Sequence, residues 1–298
     1  MRSILGVIGG SGNYDLPGLC EVTEQKVETP YGAPSDIIVS GRLGDTTMLF
    51  LPRHGRGHRL APHRVNYRAN ICALKMLGAT QVVSLSAVGS MRENLRPGDV
   101  VVVDQYVDFT RRRESTFFDQ GIVAHVGLAE PVCAQLVKAC VDAATRAGAT
   151  VHDSGTYLCI EGPQFSTRAE SLLYRSWNID VIGMTALPEA KLAREAGLAY
   201  ATVAFVTDYD CWHADHESVS VQAVVEVLRQ NVALARRIVA ELSADLPDPR
   251  QSIARGALQG AIMTDPSAID PNARARLAWL LGSADSAASG SGNSTQSD

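Results

Sequence analysis

The sequence predicts a single α/β domain built round a central mixed sheet, and three observations carry that reading. Short β-branched runs alternate with segments whose apolar residues recur at helical spacing. The runs are apolar almost throughout, as in strands covered on both faces. Glycines stand just past three of the helical segments, at Gly78, Gly148 and Gly197, where a left-handed residue ends a helix.

Taken in order, strands are expected at 4–8, 36–39, 47–51, 81–88, 100–107, 157–160, 181–182 and 201–206. Helices are expected at 65–76, 131–146, 167–176 and 187–195. A long one follows at 219–242, because Val221, Val224, Val225, Leu228 and Val232 line one face. Pro247 and Pro249 close it, and shorter helical patterns cover 252–262 and 271–281. The domain is therefore placed at 1–281, and the Ser/Gly-rich stretch 282–298, with almost nothing to bury, is expected to be a mobile tail.

Composition narrows the function. The chain of 298 residues can bury a full core. Its 27 Lys plus Arg against 32 Asp plus Glu leave a net charge of −5, which argues against a general nucleic-acid binder but allows a local cationic pocket for one small anion. The densest basic run, 111–113, reads as a solvated or interface loop. Six scattered cysteines without a CxxC pair suit free thiols in a reducing compartment. The opening MRSILGVIGG lacks the apolar length of a signal peptide, and no run approaches the ~18 residues of a membrane span, so a cytoplasmic protein is expected.

Polar clusters sit where strands should end. VIGGSGN at 7–13 has Asp15 where a dinucleotide fingerprint needs glycine, and no Walker lysine. It is either a turn whose amides and Ser11 hydroxyl face a small oxyanion, or an ordinary strand-ending turn. Arg53 and His54 follow the next strand, where an arginine can fork to phosphate oxygens and an imidazole can add a donor; a surface basic turn is the plain alternative. Ser86 and the amide of Ala87 are further short-range donors, and Thr185 stands at an expected helix start, where it either meets an anion or simply caps the helix. Asp208 and Asp210 come after the apolar strand ATVAFV and project the same way if the chain stays extended. Carboxylates there are candidates for a raised pKa and proton delivery. A metal is disfavoured, because no histidine or acid cluster of ligand spacing accompanies them.

In order along the chain stand GGSG, TPYGAPS, RHGRGH, VNYRAN, SAVGS, PGD, DQYVDFT, EGPQFSTRAE, GMTALPE and TDYDCW. This set resembles the 5′-methylthioadenosine phosphorylases, within the trimeric purine nucleoside phosphorylases, over roughly residues 5–240. The resemblance implies a partly barrel-like mixed sheet flanked by helices, and attack of inorganic phosphate on the anomeric carbon of methylthioadenosine. It implies a phosphate site at Ser11, Arg53, His54, Ser86, Ala87 and Thr185, with Met184 against the ribose and Phe165 near sugar and base. Asp208 matches the proton donor to purine N7, with Tyr209 and Asp210 beside the base. Relatives that cleave 6-oxopurines tend to carry asparagine at the position of Asp208 and glutamate at that of Ser166, so Asp208, Ser166 and Asp210 form a 6-aminopurine set. Val221, Val224 and Val225 match the apolar wall of the methylthio pocket. His125 matches a histidine donated by a neighbouring subunit, which makes a homotrimer functionally necessary. No cofactor is implied, phosphate being a co-substrate. The chain departs from the family after about residue 247, where Leu258 or Ile262 would have to close the 5′ pocket. Rival readings are a phosphorylase with broader or 6-oxopurine specificity, a hydrolytic nucleosidase and a non-catalytic nucleoside binder.

Overall fold

The structure, a computed structural model, describes residues 3–10, 16–213 and 221–282, with the backbone alone over 221–230. Ser11, the tail from residue 283 onward and the side chains of Val221, Val224 and Val225 therefore lie outside the described residues.

Eleven strands form one mixed sheet: β1 (Ile4–Gly9), β2 (Cys20–Gln25), β3 (Ile38–Leu43), β4 (Thr46–Pro52), β5 (Gln81–Ser90), β6 (Val100–Val103), β7 (Gln105–Phe109), β8 (Val151–His152), β9 (Thr156–Ile160), β10 (Val181–Gly183) and β11 (Ala199–Asp208). The main path runs β2-β3-β4-β1-β5-β10-β9-β7, while β11 pairs with both β5 and β6, and β6 with β8. The sheet thus branches at β5, whose first half carries β1 on one edge and β11 on the other, both parallel. Helices α1 (Tyr67–Met76), α2 (Ala134–Arg146), α3 (Arg168–Ser176), α4 (Glu189–Glu195), α5 (Val221–Ala244), α6 (Pro271–Arg276) and α7 (Ala278–Leu281) flank it.

Two apolar clusters cover the central strands. One gathers Ile8, Ile71, Leu74, Leu192 and Tyr200; the other joins Val7, Val83, Leu136, Val203 and Ile238. Strands with both faces buried explain why β5, β6 and β11 read as nearly unbroken apolar runs. Gly78, Gly148 and Gly197 all have positive φ just past α1, α2 and α4, as their positions imply.

The structure departs from the sequence reading in several places. The run 100–107 is two strands: Asp104 ends the pairing of β6 with β11, and β7 pairs with β9 instead. β2 went unrecognised because it is an exposed edge strand without apolar alternation. The pattern at 252–262 forms only one short 3₁₀ helix, at Ile253–Gly256, followed by turns. Finally, α4 starts at Glu189 with Pro188 before it, so Thr185 lies in the preceding loop and not at a helix start.

Candidate active site

The register around β5 assembles the site. β10 pairs antiparallel with the end of β5, Val181 opposite Ser90 and Ile182 opposite Gly89. The chain leaving β10 therefore runs back along β5, bringing the Thr185 hydroxyl 3.3 Å from that of Ser86. On the other edge β11 runs parallel, with Ala204 opposite Ser86, Phe205 opposite Ala87 and Asp208 opposite Gly89. Ser86 is thus mid-strand, not at a strand end. It stands about 10 Å along β5 from the level of Asp208, at ~3.3 Å per residue.

Beneath the Ser86 end lies Arg53, which follows β4 and is buried. Its fork is occupied by Glu189: Nε donates to Oε2 at 2.9 Å and Nη2 to Oε1 at 3.0 Å. Nη2 also donates to the Ser84 hydroxyl at 2.7 Å and Nη1 to the Leu85 carbonyl at 3.1 Å. Burial disfavours the guanidinium charge, but the Glu189 carboxylate more than offsets this and holds it above its ordinary range. His54 Nδ1 lies 2.8 Å from the Leu60 carbonyl, which only accepts, so Nδ1 carries the proton. The ring stacks on His58 with centroids 4.2 Å apart. Burial, then the Arg53 charge, lower its pKa to about 4, so the imidazole is neutral and Nε2 presents a lone pair in place of the expected donor.

The Tyr157 hydroxyl ties Ser86 to Thr185. It lies 3.2 Å from Ser86 Oγ and accepts from the Thr185 amide at 3.4 Å. Burial pushes this phenol up to about 12, so it keeps its proton. Only glycine fits at 183, where a Cβ would stand 2.0 Å from the Tyr157 hydroxyl.

At the far end, Asp208 accepts from the Thr207 hydroxyl at 2.6 Å and the Asp210 amide at 2.8 Å. Burial raises its pKa; those two bonds oppose the shift, and the Asp210 charge adds to it. Asp210 has φ +51°, so the chain does not stay extended, and the two carboxylates are related by a tight turn instead of by strand alternation. Asp210 is itself buried, which raises its pKa. Ser166 reaches this loop through its carbonyl, which accepts from Cys211 Sγ at 3.4 Å. Tyr209 turns elsewhere: its hydroxyl donates to the Glu93 carbonyl at 3.3 Å, and its ring packs on Trp212 and His213.

Met184 is half-buried between the two ends, under Gly162, where a Cβ would meet Sδ at 2.5 Å. Phe165 is exposed in the loop before α3, and His125 is exposed, with its amide bonded to the Ala261 carbonyl. This chain's own site does not gather His125. Leu258 and Ile262 pack partly buried against the chain's own core. Arg113, expected in a solvated or interface loop, is a buried hub: it pairs with Glu161 at 3.0 Å and donates to the carbonyls of Met184 and Leu187 at 2.8 and 2.6 Å. Among the described residues no three His, Cys, Asp or Glu side chains converge as a metal's ligand set would.

Sequence reasoning missed Glu189, Tyr157, Tyr200 and Arg113. The one available signal was Glu189 in GMTALPE, four residues past Thr185.

Residues 4–244 match the family model described as the phosphorylase superfamily. The chain belongs to that superfamily. It is 53% identical over 284 residues to the S-methyl-5′-thioadenosine phosphorylase of Geobacter sulfurreducens, covering 95% of this chain and 99% of that one. Its identity to the enzyme of the same name from Cereibacter sphaeroides is 54%, over 95% and 98% of the two chains. A methylthioadenosine phosphorylase from an antarctic soil metagenomic library superposes with TM-score 0.88 at 47% identity, covering 94% of this chain and all of that one. An adenosine/methylthioadenosine phosphorylase variant of Schistosoma mansoni with bound adenine superposes with TM-score 0.81 at 37% identity, over 88% and 100%. Superfamily members share the mixed sheet flanked by helices, and this chain has that nucleoside phosphorylase fold.

Proposed function

We propose that the chain cleaves S-methyl-5′-thioadenosine with inorganic phosphate, yielding adenine and 5-methylthioribose 1-phosphate for salvage. The observation that carries this reading is the arrangement along β5: a half-buried carboxyl of raised pKa at one end and convergent hydroxyls over a buried arginine at the other.

Glycosidic cleavage leaves negative charge on the purine and positive charge on the anomeric carbon. Protonated Asp208 neutralises the first at N7, an acid contribution of roughly 10²–10⁴-fold. Phosphate held by Ser86, Thr185, the remaining Arg53 N–H and the segment containing Ser11 meets the second as electrostatic partner and nucleophile. The neutral His54 presents Nε2 as an acceptor and so favours a phosphate oxygen that carries a proton. Asp210 accepts from a 6-amino group and repels a 6-keto oxygen. The donors supplied by these side chains make a metal or cofactor unnecessary.

The site is completed by a second copy in a homotrimer working in the cytoplasm. Exposed His125 is free of its own chain's site, and Leu172, Leu173 and Trp177 lie exposed on and just after α3, beside the loop carrying Phe165. Adenosine is a second substrate to test, since the Schistosoma relative is named for both nucleosides. Adenine release from methylthioadenosine, adenosine and methylthioinosine, with and without phosphate, tests the reading. Phosphate-dependent release, fastest with methylthioadenosine, supports it; equal release without phosphate rejects it for a hydrolase.

A further inference from the structure

We propose that Glu189 is a positioning residue that sets the charge of the phosphate site, holding Arg53 in a buried two-pronged ion pair so that phosphate meets a nearly neutral cradle and is gripped by hydrogen bonds. The inference rests on the phosphorolytic reading above.

The pair is almost wholly buried, with side chains 3% and 0% exposed for Arg53 and Glu189. Glu189 is also anchored from behind. The Tyr200 hydroxyl donates to its Oε1 at 3.0 Å, Thr202 Oγ1 donates to Tyr200 at 3.3 Å, and the Tyr106 hydroxyl lies 2.8 Å from Thr202. The carboxylate therefore cannot swing off Arg53 when an anion arrives. Of the five guanidinium protons, Glu189, Ser84 and Leu85 engage all but one, on Nη1. Among the described residues, the other ionisable groups facing this end are His54, neutral and stacked on His58, Arg113, whose charge is met by Glu161, and the phenols of Tyr67 and Tyr157, both held in their neutral form by burial.

Two consequences follow. While no anion is bound, Glu189 spares the fold a buried unpaired cation. When phosphate is bound, its charge stays available to the anomeric carbon and is not spent on the arginine. The sugar phosphate formed is then released from a site of little net charge.

The full-length chain and its Glu189→Gln variant decide the matter, with phosphate as substrate and sulfate as an unreactive probe. For the native chain, the phosphate KM and the calorimetric sulfate affinity should change less than about 2-fold over a KCl series, since a neutral site has little charge to screen. In Glu189→Gln the uncovered Arg53 should tighten phosphate and sulfate about 5-fold or more and lower kcat about 10-fold, with the nucleoside KM little changed. Phosphate should also raise the melting midpoint of the variant more than that of the native chain. Weaker sulfate binding by the variant, or steep salt dependence in the native chain, overturns the proposal. Should Glu189→Gln not fold, Tyr200→Phe, which loosens the anchor, should shift sulfate affinity in the same direction, and unchanged or weaker affinity counts against the proposal. Flat salt dependence of sulfate binding supports it even in a chain that releases no adenine, which separates its fate from that of the catalytic reading.

Discussion

The backbone amide of Asp210 donates to the carboxylate of Asp208 at 2.8 Å, so the residue proposed to read the base also holds the acid proposed to protonate it. Asp208→Asn keeps the shape and removes the proton. Turnover should fall by about 10²–10⁴-fold in a steady-state assay. Because burial raises the Asp208 pKa, the folded state holds the proton more tightly, and stability is lost as pH rises through the folded value. The Asn variant should therefore gain in melting temperature over the native chain as pH rises above about 4, the ordinary aspartate value, and lose that advantage below it.

Asp210→Asn tests discrimination without disturbing the turn, since asparagine tolerates the left-handed backbone at φ +51°. The preference for methylthioadenosine over methylthioinosine, measured as a ratio of kcat/KM, should fall at least about 10-fold.

Tyr157→Phe removes the hydroxyl that links Ser86 and Thr185 while filling the same space. Losing one well-placed bond, worth about 1.4 kcal/mol, should raise the phosphate KM roughly 10-fold and leave the nucleoside KM unchanged. Gly183→Ala should be far worse, because its Cβ would overlap the Tyr157 hydroxyl.

His54 supplies a pH signature. Its pKa is lowered from 6.5 to about 4, so the folded chain binds fewer protons than the unfolded chain across that window. Stability should fall as pH drops from about 6.5 towards 4, and His54→Gln should flatten that part of a denaturation profile.

Arg113→Lys keeps the charge but cannot reach both Glu161 and the carbonyls behind Met184. Chemical denaturation should show a loss on the order of 3 kcal/mol.

Much of this architecture was legible from local patterns. The doubly covered strands β5 and β11, the helix-ending glycines and the Asp208–Asp210 pair all carry signals within a few residues. What escaped was made by distant pairing. Glu189 meets Arg53 across 136 positions, and a lone carboxylate near an anion site looks misplaced until its partner is known. Tyr157 reads as a core aromatic because its hydroxyl finds Ser86 across 71 positions. Arg113 sits in a basic run that resembles solvated surface, and its burial depends on carbonyls from 160–161, 184 and 187. The split between β6 and β7 is invisible in VVVVDQYV, since each half takes a different neighbour.

The central claim is geometric, and a crystal of the full chain grown with a non-cleavable methylthioadenosine analogue and sulfate tests it directly. The account predicts sulfate among Ser86, Thr185 and Arg53, on the far side of the ribose from a purine whose N7 faces Asp208. A purine bound away from Asp208, or sulfate lodged where it cannot reach the anomeric carbon, would contradict it.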